Sequence, residues 1–148
     1  MKKFSFSLQS VLDLRSARRE LAARELAEAQ QQVENAEAQL EKTHQAHNNA
    51  IESYINALSS GVDVQELALH TDHIASLAQR SKQEQAHITT LEQLRDNKRE
   101  AAMLAEQEAK AIAKLRECHY QRYCTEVARK EQALLDELAT INYFRNLK

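Results

Sequence analysis

The chain is poor in the residues that make turns. Its 148 residues include no proline and a single glycine, and its only aromatic side chains are four tyrosines and three phenylalanines. Folds built from β-sheet need a turn about every ten residues, made mostly with Gly, Pro, Asn and Asp. Ala, Glu, Gln, Leu, Lys and Arg dominate instead, which is typical of long helices and coiled coils. The sequence therefore predicts an all-α fold and argues against a domain that contains a sheet.

Long apolar runs are also missing, and cysteine is scarce. The start MKK has the charge of a secretory leader, but polar residues between positions 5 and 13 interrupt the apolar core that a leader needs. No run approaches the roughly 18 apolar residues of a membrane span. Cys118 and Cys124 lie six positions apart. On a helix this spacing separates their Cα atoms by about 9 Å, which is too far for a disulfide. We therefore expect a reduced, cytoplasmic setting.

Charge is distributed unevenly along the chain. Residues 1–24 contain six Lys or Arg against two acids, and residues 110–148 contain eight against five. The middle is the opposite, because residues 25–61 contain one base against six acids and residues 62–109 contain five against nine. Both ends of the chain are therefore basic, and the middle is acidic.

The single glycine lies in the stretch SSGVDVQEL, where each neighbour fits the end of one helix and the start of another. Gly61 can adopt the left-handed conformation that closes helices. Asp63 fits a helix N-cap with Glu66 three residues later, and Val62 and Leu67 occupy the two positions of a hydrophobic staple. The sequence therefore predicts one helical break, at this glycine.

A single short break predicts an antiparallel two-helix coiled-coil hairpin that forms one domain over residues 1–148. We expect helix one over about residues 7–60, a turn over about 60–63, and helix two over about 63–146. Since each residue of a helix adds about 1.5 Å of length, helix one can pair with the second helix only as far as about position 116. Residues 117–148 are then predicted to overhang without an intramolecular partner.

Heptad repeats support this hairpin. On the first helix, large residues recur every seven positions and mostly small ones follow three positions later, which is the pattern of a helix-pairing seam. The two series are Leu26, Val33, Leu40, His47 and Tyr54, and Ala29, Ala36, Thr43, Ala50 and Ala57. On the second helix, one heptad position holds Leu67, Ile74 and Ile88, and another holds Leu77 and Leu91. The small seam residues permit a close approach of the two backbones.

A later series on the second helix has a different phase. It consists of Tyr120, Val127, Leu134 and Ile141. The phase change between about residues 94 and 120 indicates either a stutter or a change of packing partner. An apolar stripe without an internal partner must meet another protein or a second copy, or else stay marginally helical. The predicted overhang is thus the main indication of function that the residues themselves give.

The sequence offers little for catalysis or metal binding. It has no Gly-rich phosphate loop and no HExxH motif, and a pair of helices forms no walled cavity. We therefore predict a protein that is not an enzyme, with no catalytic residue and no cofactor. His44 and His47, like His70 and His73, form i,i+3 pairs, but the pairs lack a shared face because His47 lies on the seam while His44 lies beside it. We interpret them as surface and seam histidines and predict no metal site.

Nucleic-acid binding is an alternative because both ends of the chain are basic. A basic zipper needs a dense Lys and Arg block that continues into a parallel zipper. Here Ala, Leu and Glu dilute the basic residues, and the chain folds back on itself. We expect no nucleic-acid partner and keep a nucleic-acid binder with basic ends as an alternative to be tested.

The stretch FSFSL places two of the three phenylalanines in the first six residues. Phe6 precedes Ser7, which can cap helix one, and Val11 stands at the matching position of a hydrophobic staple, so Phe6 is predicted to pack on its own helix. Phe4 lies outside this motif and is predicted to contact a partner. Phe144, near the other terminus, would reach Phe4 only if the overhang bends.

Three stretches carry a resemblance to a known family. KFSFSLQSVLDLR, SSGVDVQEL and RKEQALLDELATINYFR resemble, in this order, the start, the central turn and the end of the flagellar export proteins of the FliJ family. The resemblance covers essentially the whole chain. Members are soluble components of the flagellar type III export apparatus and look like the coiled-coil stalk of rotary ATPases.

The resemblance implies three partners. The open end that carries both termini would enter the central hole of the hexameric export ATPase, and the hairpin would contact an export-gate membrane protein. Members also escort unloaded export chaperones. The implied location is the cytoplasm, with peripheral association at the inner membrane of the flagellar base through these partners.

The resemblance and the charge distribution together indicate candidate contact residues. A basic open end would be steered to an acidic ring entrance. The candidates for the ATPase ring are Phe4, Arg15, Arg18, Arg19, Tyr120, Val127, Leu134 and Ile141. In the family the gate contact lies near the turn on both helices, and Tyr54 and Leu77 match that pattern. His73 replaces an aromatic residue that some members carry.

Two related functions stay open as alternatives. The stalk proteins of virulence-type secretion systems share the architecture, although the FSF start and the KEQALLDE end favour the flagellar branch. Outside this class, a generic coiled-coil chaperone or scaffold fits the same composition.

Overall fold

The computed structural model describes residues 3–146, and their regular structure is two long helices. Helix α1 spans Gln9–Ser60, and helix α2 spans Val64–Arg145. No strand occurs between residues 3 and 146. The prediction of an all-α hairpin with a longer second helix is therefore confirmed.

Helix α1 begins two residues after the predicted start. Ser7 and Leu8 form a turn in which the N–H of Gln9 donates to the carbonyl of Phe6 at 3.1 Å. The carbonyl of Leu8 then accepts the N–H of Leu12 at 3.0 Å, which is the first helical hydrogen bond. Ser7 therefore lies outside the N-cap position for which its hydroxyl was predicted.

Gly61 ends α1 in the left-handed conformation, with φ at 71°. Its N–H donates to the carbonyl of Leu58, and the N–H of Val62 donates to that of Ala57, both at 3.4 Å. These two bonds form a Schellman motif, which satisfies carbonyls that the end of a helix leaves without partners. The break lies at the glycine because a side chain with a Cβ disfavours this φ.

The described chain divides into two compact units. One unit is Leu21–Met103, and the other joins the residues up to Glu20 to those from Leu104 onward. Each unit contains a part of α1 and a part of α2. The organisation of the whole chain as a single domain stays a prediction.

The two helices pack antiparallel within each unit. In the unit that contains the turn, the ammonium group of Lys98 lies 2.8 Å from a carboxylate oxygen of Glu25, while Tyr54, further along α1, lies beside His70, further back on α2. In the other unit, Arg15 forms an ion pair with Glu108, and the later residue Arg19 lies 3.7 Å from the earlier residue Glu106. In both units, residues later in α1 therefore contact residues earlier in α2, as antiparallel packing requires.

The seam on α1 follows the predicted heptads. Val33 is 1% exposed, and Ala29, Thr43 and Ala50 are also buried. On α2, positions spaced alternately by three and four residues stay buried or half-buried from Leu67 to Ile112. The predicted stutter is therefore absent from that stretch. The phase change seen in the sequence reflects a change of packing partner, because the next seam positions, at 119 and 123, contact residues that precede α1.

The C-terminal part of α2 forms the overhang. Every residue from 128 to 146 is exposed. The predicted overhang of residues 117–148 was too long at its start, because the segment before α1 packs on His119, Tyr120 and Tyr123. Residues 147 and 148 lie outside the described chain. Over the residues described, neither helix has an apolar stretch of the length that crossing a bilayer demands.

Candidate partner-binding surfaces

Residues 3–8, the N-terminal segment, lie against α2 through two phenylalanine rings. Phe6 is 7% exposed, and its ring meets the imidazole of His119 edge-on with centroids 5.6 Å apart. Phe4 is half-buried, with its ring centroid 5.2 Å from that of Tyr120 and 5.6 Å from that of Tyr123. The staple predicted for Phe6 required Ser7 to cap α1, which it does not do, and the ring of Phe6 packs on the second helix.

Tyr120 also interacts with a cysteine. A hydrogen bond to Cys124 raises the pKa of the Tyr120 hydroxyl, and the nearby thiol, Glu117 and Tyr123 act in the same direction. Cys124 is a free and exposed cysteine. Tyr120 itself remains 46% exposed, so its ring is covered on one side and open on the other.

An apolar stripe continues from Tyr120 along the exposed part of α2. The C-terminal stripe consists of Tyr120, Val127, Leu134, Leu138 and Ile141, which share one side of the helix because seven residues make about two turns. Val127 is half-buried, and the other four are exposed, Leu134 by 58%. The sequence series missed Leu138, although its spacing of four from Leu134 and three from Ile141 would have identified it.

Other apolar side chains of this end lie at the margin of the stripe or off it. Leu135 is 60% exposed and points about 100° away from Leu134, so it lies at the margin, three residues before Leu138. Tyr143 and Phe144 are exposed, and their rings contact each other with centroids 5.8 Å apart. The Phe144 ring therefore contacts an aromatic ring of its own helix.

The three arginines predicted to meet a partner have different surroundings. Arg15 forms an ion pair with Glu108 of α2, and Arg19 lies 3.7 Å from Glu106. Arg18 is exposed and has no ion pair among residues 3–146. Arg15 and Arg19 therefore join the two helices, and Arg18 is the one that faces solvent.

The turn end of the hairpin carries a second group of exposed apolar side chains. The turn-end patch consists of Ile55, Leu58, Val64 and Leu69. Tyr54 and Leu77, the residues predicted to contact an export gate, are half-buried. Residues 43–79 contain four acids and no Lys or Arg, so the surroundings of the patch are acidic. The lack of Lys and Arg could be seen in the sequence, whereas the exposure of the four side chains of the patch could not.

The histidines near the turn have ordinary neighbours. His44 hydrogen-bonds with the Ser81 hydroxyl at 2.9 Å, and the ring centroid of His70 lies 6.5 Å from that of Tyr54. His70 and His73 line a shallow groove beside Ala50. In the part of the chain that the structure describes, no three His, Cys, Asp or Glu side chains are placed to hold a metal ion.

A polar layer interrupts the seam between the helices. Thr43 is buried, and its hydroxyl donates to the carbonyl of Gln39 at 3.2 Å. The pKa of the nearby Glu84 carboxyl is lowered, mainly because the Thr43 hydroxyl can donate to it in place of Gln39 and, to a smaller extent, because Arg80 is close. A rotating hydroxyl has one proton for these two acceptors. The Oε2 atom of Glu84 is buried without a hydrogen-bond partner in the described chain, while Oε1 accepts from Arg80 at 2.9 Å.

Known protein families supply the context for these surfaces. Residues 4–148 match the family model described as Flagellar FliJ protein. The chain belongs to this FliJ family. The match includes residues 4–8 of the N-terminal segment, the turn at Gly61 and the exposed end of α2. Membership makes the protein a component of the flagellar export apparatus. Neither the curated proteins nor the solved structures give a match.

Only some of the residues predicted to bind partners lie close to one another in this FliJ chain. Phe4 and Tyr120, both predicted to contact the ATPase ring, contact each other. Val127, Leu134 and Ile141 lie on one stripe, as their spacing requires. Which of these residues meets a partner stays a prediction.

Proposed function

We propose that this FliJ protein is the non-enzymatic stalk of the hexameric export ATPase and that the C-terminal stripe is the surface that enters the ring. One observation carries the proposal. Residues 128–146 are all exposed, yet residues 128–145 form regular helix and carry Leu134, Leu138 and Ile141 on one side. An apolar side of this kind on an otherwise charged helix is typical of a surface that another protein covers.

Charge supports the same orientation. Most of the two basic segments of the sequence, namely residues 3–20 and 110–146, lies in the unit that contains the stripe. A basic surface accelerates encounter with an acidic ring entrance and fixes the direction of approach. Because Arg15 and Arg19 already have carboxylate partners, Arg18 is the arginine of α1 that we propose for this steering.

The export gate is the second proposed partner. The acidic turn end exposes the turn-end patch, and Tyr54 and Leu77 are half-buried on the adjoining faces. We propose that a gate protein contacts the patch together with the open sides of these two residues. Such contacts would hold the protein peripherally at the cytoplasmic side of the inner membrane. The escort of export chaperones rests on the family resemblance alone.

The test is the stimulation of ATP hydrolysis by the purified export ATPase. A double variant, Leu134→Ala with Ile141→Ala, removes two side chains of the stripe. We expect it to need about thirtyfold more protein for half-maximal stimulation, since buried interface anchors commonly contribute about 1 kcal/mol or more each, or about 2 kcal/mol for the pair. Circular dichroism is expected to show unchanged helicity, because both side chains are exposed.

Leu135→Ala is the matched control. Leu135 is adjacent to Leu134, has the same chemistry and is 60% exposed against 58%, but it points about 100° away from Leu134 and about 120° away from Ile141. We expect this variant to stimulate the ATPase like the natural chain. Equal losses in the two variants would show that the stripe is not the contact surface.

A further inference from the structure

The N-terminal segment covers the first member of the C-terminal stripe. Phe4 approaches Tyr120 edge-on, with a ring-centroid distance of 5.2 Å and an angle of 80° between the ring planes. Tyr120 precedes Val127 and Leu134 on the same side of α2 by one and two heptads. The face of Tyr120 that Phe4 occupies is therefore unavailable to any protein that covers the stripe.

The two phenylalanines of the segment have different positions on α2. Phe6 is buried on His119, which continues the helix-pairing seam because it lies seven residues after the half-buried Ile112. Phe4 is only half-buried and spans from Tyr123, also a seam position, to Tyr120 on the stripe. Phe6 thus anchors the segment, and Phe4 lies between the internal seam and the partner surface.

The backbone around Phe4 gives it little support. Residues 3–6 have no regular secondary structure, and the first backbone hydrogen bond in the described chain joins Gln9 to the Phe6 carbonyl. Lys3 and Ser5 on either side of Phe4 are exposed. The position of Phe4 therefore depends on its aromatic contacts, and residues before Phe6 can leave α2 without unfolding either helix.

We propose that Phe4 is an autoinhibitory contact, in which its ring competes with the ATPase ring wall for Tyr120 and has to be displaced when the stripe is covered. This inference rests on the proposed stalk function. Aromatic pairs of this geometry shift an equilibrium about three- to tenfold. Because a protein binds in proportion to its competent fraction, the closed segment weakens apparent binding by a similar factor.

The alternative is that Phe4 itself contacts the ring, as the sequence pattern predicts. The two roles give effects of opposite sign on affinity. Removal of a competing ring tightens binding, whereas removal of a contact residue weakens it. A single substitution at Phe4 therefore distinguishes them.

The experiment measures the affinity of the full chain for the purified export ATPase in three forms: natural, Phe4→Ala and the control Ser5→Ala. We expect Phe4→Ala to bind about three- to tenfold more tightly and Ser5→Ala to bind like the natural chain, because Ser5 is exposed. Unchanged or weaker binding of Phe4→Ala overturns the autoinhibitory contact while leaving the stalk function in place. Absence of binding by all three forms overturns the stalk function and, with it, this inference.

A second variant follows the segment directly. The chain has no tryptophan, so Phe4→Trp introduces a single reporter at this position. We expect its emission to shift to the red when the ATPase is added, since the indole leaves Tyr120 for water. In the free protein, the further change Tyr120→Ala is expected to give a similar red shift. An emission that the ATPase leaves unchanged, with binding verified independently, would show that the segment is not displaced.

Discussion

The ring of Phe6 meets the imidazole of His119 almost perpendicularly, with 5.6 Å between their centroids and 87° between their planes. This pair extends helix packing beyond the reach of α1, since His119 lies one heptad after Ile112. The N-terminal segment, which has no helix or strand, thereby packs on α2 at the positions that α1 does not reach.

Phe6→Ala is expected to destabilise the unit that contains both termini by about 2–4 kcal/mol, because it removes a ring that is 7% exposed and leaves a cavity on α2. Hydrogen exchange is expected to become faster around residues 119–123, and the midpoint of denaturation to fall. Phe144→Ala is the control, since the Phe144 ring is 65% exposed and its loss should change stability by less than about 0.5 kcal/mol. Similar stability of the two variants would contradict the packing of Phe6.

Gly61→Ala is expected to destabilise the hairpin by about 1–2 kcal/mol. The cause is backbone strain, since φ is 71° and no atom beyond Gly61 and its two chain neighbours lies within 4 Å of the position where a Cβ would stand. Gly61→Asn should lose less, because asparagine tolerates the left-handed conformation better than alanine does. Urea denaturation of the three proteins gives the comparison. An alanine variant as stable as the natural chain would show that the turn adopts another conformation.

Glu84 is expected to make stability depend on pH in the acid range. Hydrogen bonding by Thr43 lowers the pKa of this carboxyl in the folded protein, so the folded chain binds its proton less readily than the unfolded chain does. The stabilisation is complete above the pKa of the unfolded state and is lost as the pH falls through the lower pKa of the folded state. Thermal unfolding at a series of pH values between 3 and 7 measures this loss of stability.

The control for that titration is a substitution at an exposed carboxylate. Glu84→Gln is expected to flatten the acid limb of the stability profile, whereas Glu28→Gln should leave its shape unchanged, since Glu28 is exposed on α1. Parallel profiles for the natural chain and the Glu84→Gln variant would contradict the role of Glu84.

Truncation tests the exposed end as a whole. A chain that stops after Glu126 keeps Tyr120 and Tyr123, with their Phe4 contacts, and loses the rest of the stripe. We expect it to stay helical and to lose stimulation of the export ATPase, because residues 128–146, which it lacks together with the half-buried Val127, are all exposed. Full stimulation by the shortened chain would refute the stalk assignment of this end.

The helices and their seam were predictable because helical periodicity is a local property. Val33 and Ala50 recur at heptad spacing, and the seam needs only that spacing and the antiparallel turn to bury them. The break at the glycine was also predictable from the local sequence, because few residues other than glycine adopt the left-handed conformation that Gly61 has.

The packing of the N-terminal segment was not predictable from the same information. Phe6 is followed by a residue that can cap a helix, so local rules assign it to α1, whereas its ring lies on a residue more than a hundred positions away. The surroundings of Arg15 and Arg19 were missed for the same reason. Their carboxylate partners are on the other helix, and the register that brings them together is set by the whole seam.

The absence of Lys and Arg between positions 43 and 79 has a practical consequence for mapping partners. Trypsin has no cleavage site in this stretch, so the turn, Tyr54, Leu77 and the whole turn-end patch are released as one peptide that ends at Arg80. Amine-reactive cross-linkers also find no lysine there. Carboxylate-directed cross-linking through Glu52, Asp63, Glu66 and Asp72, combined with cleavage by a protease that cuts after acidic residues, is therefore the suitable chemistry for detecting a partner at the turn.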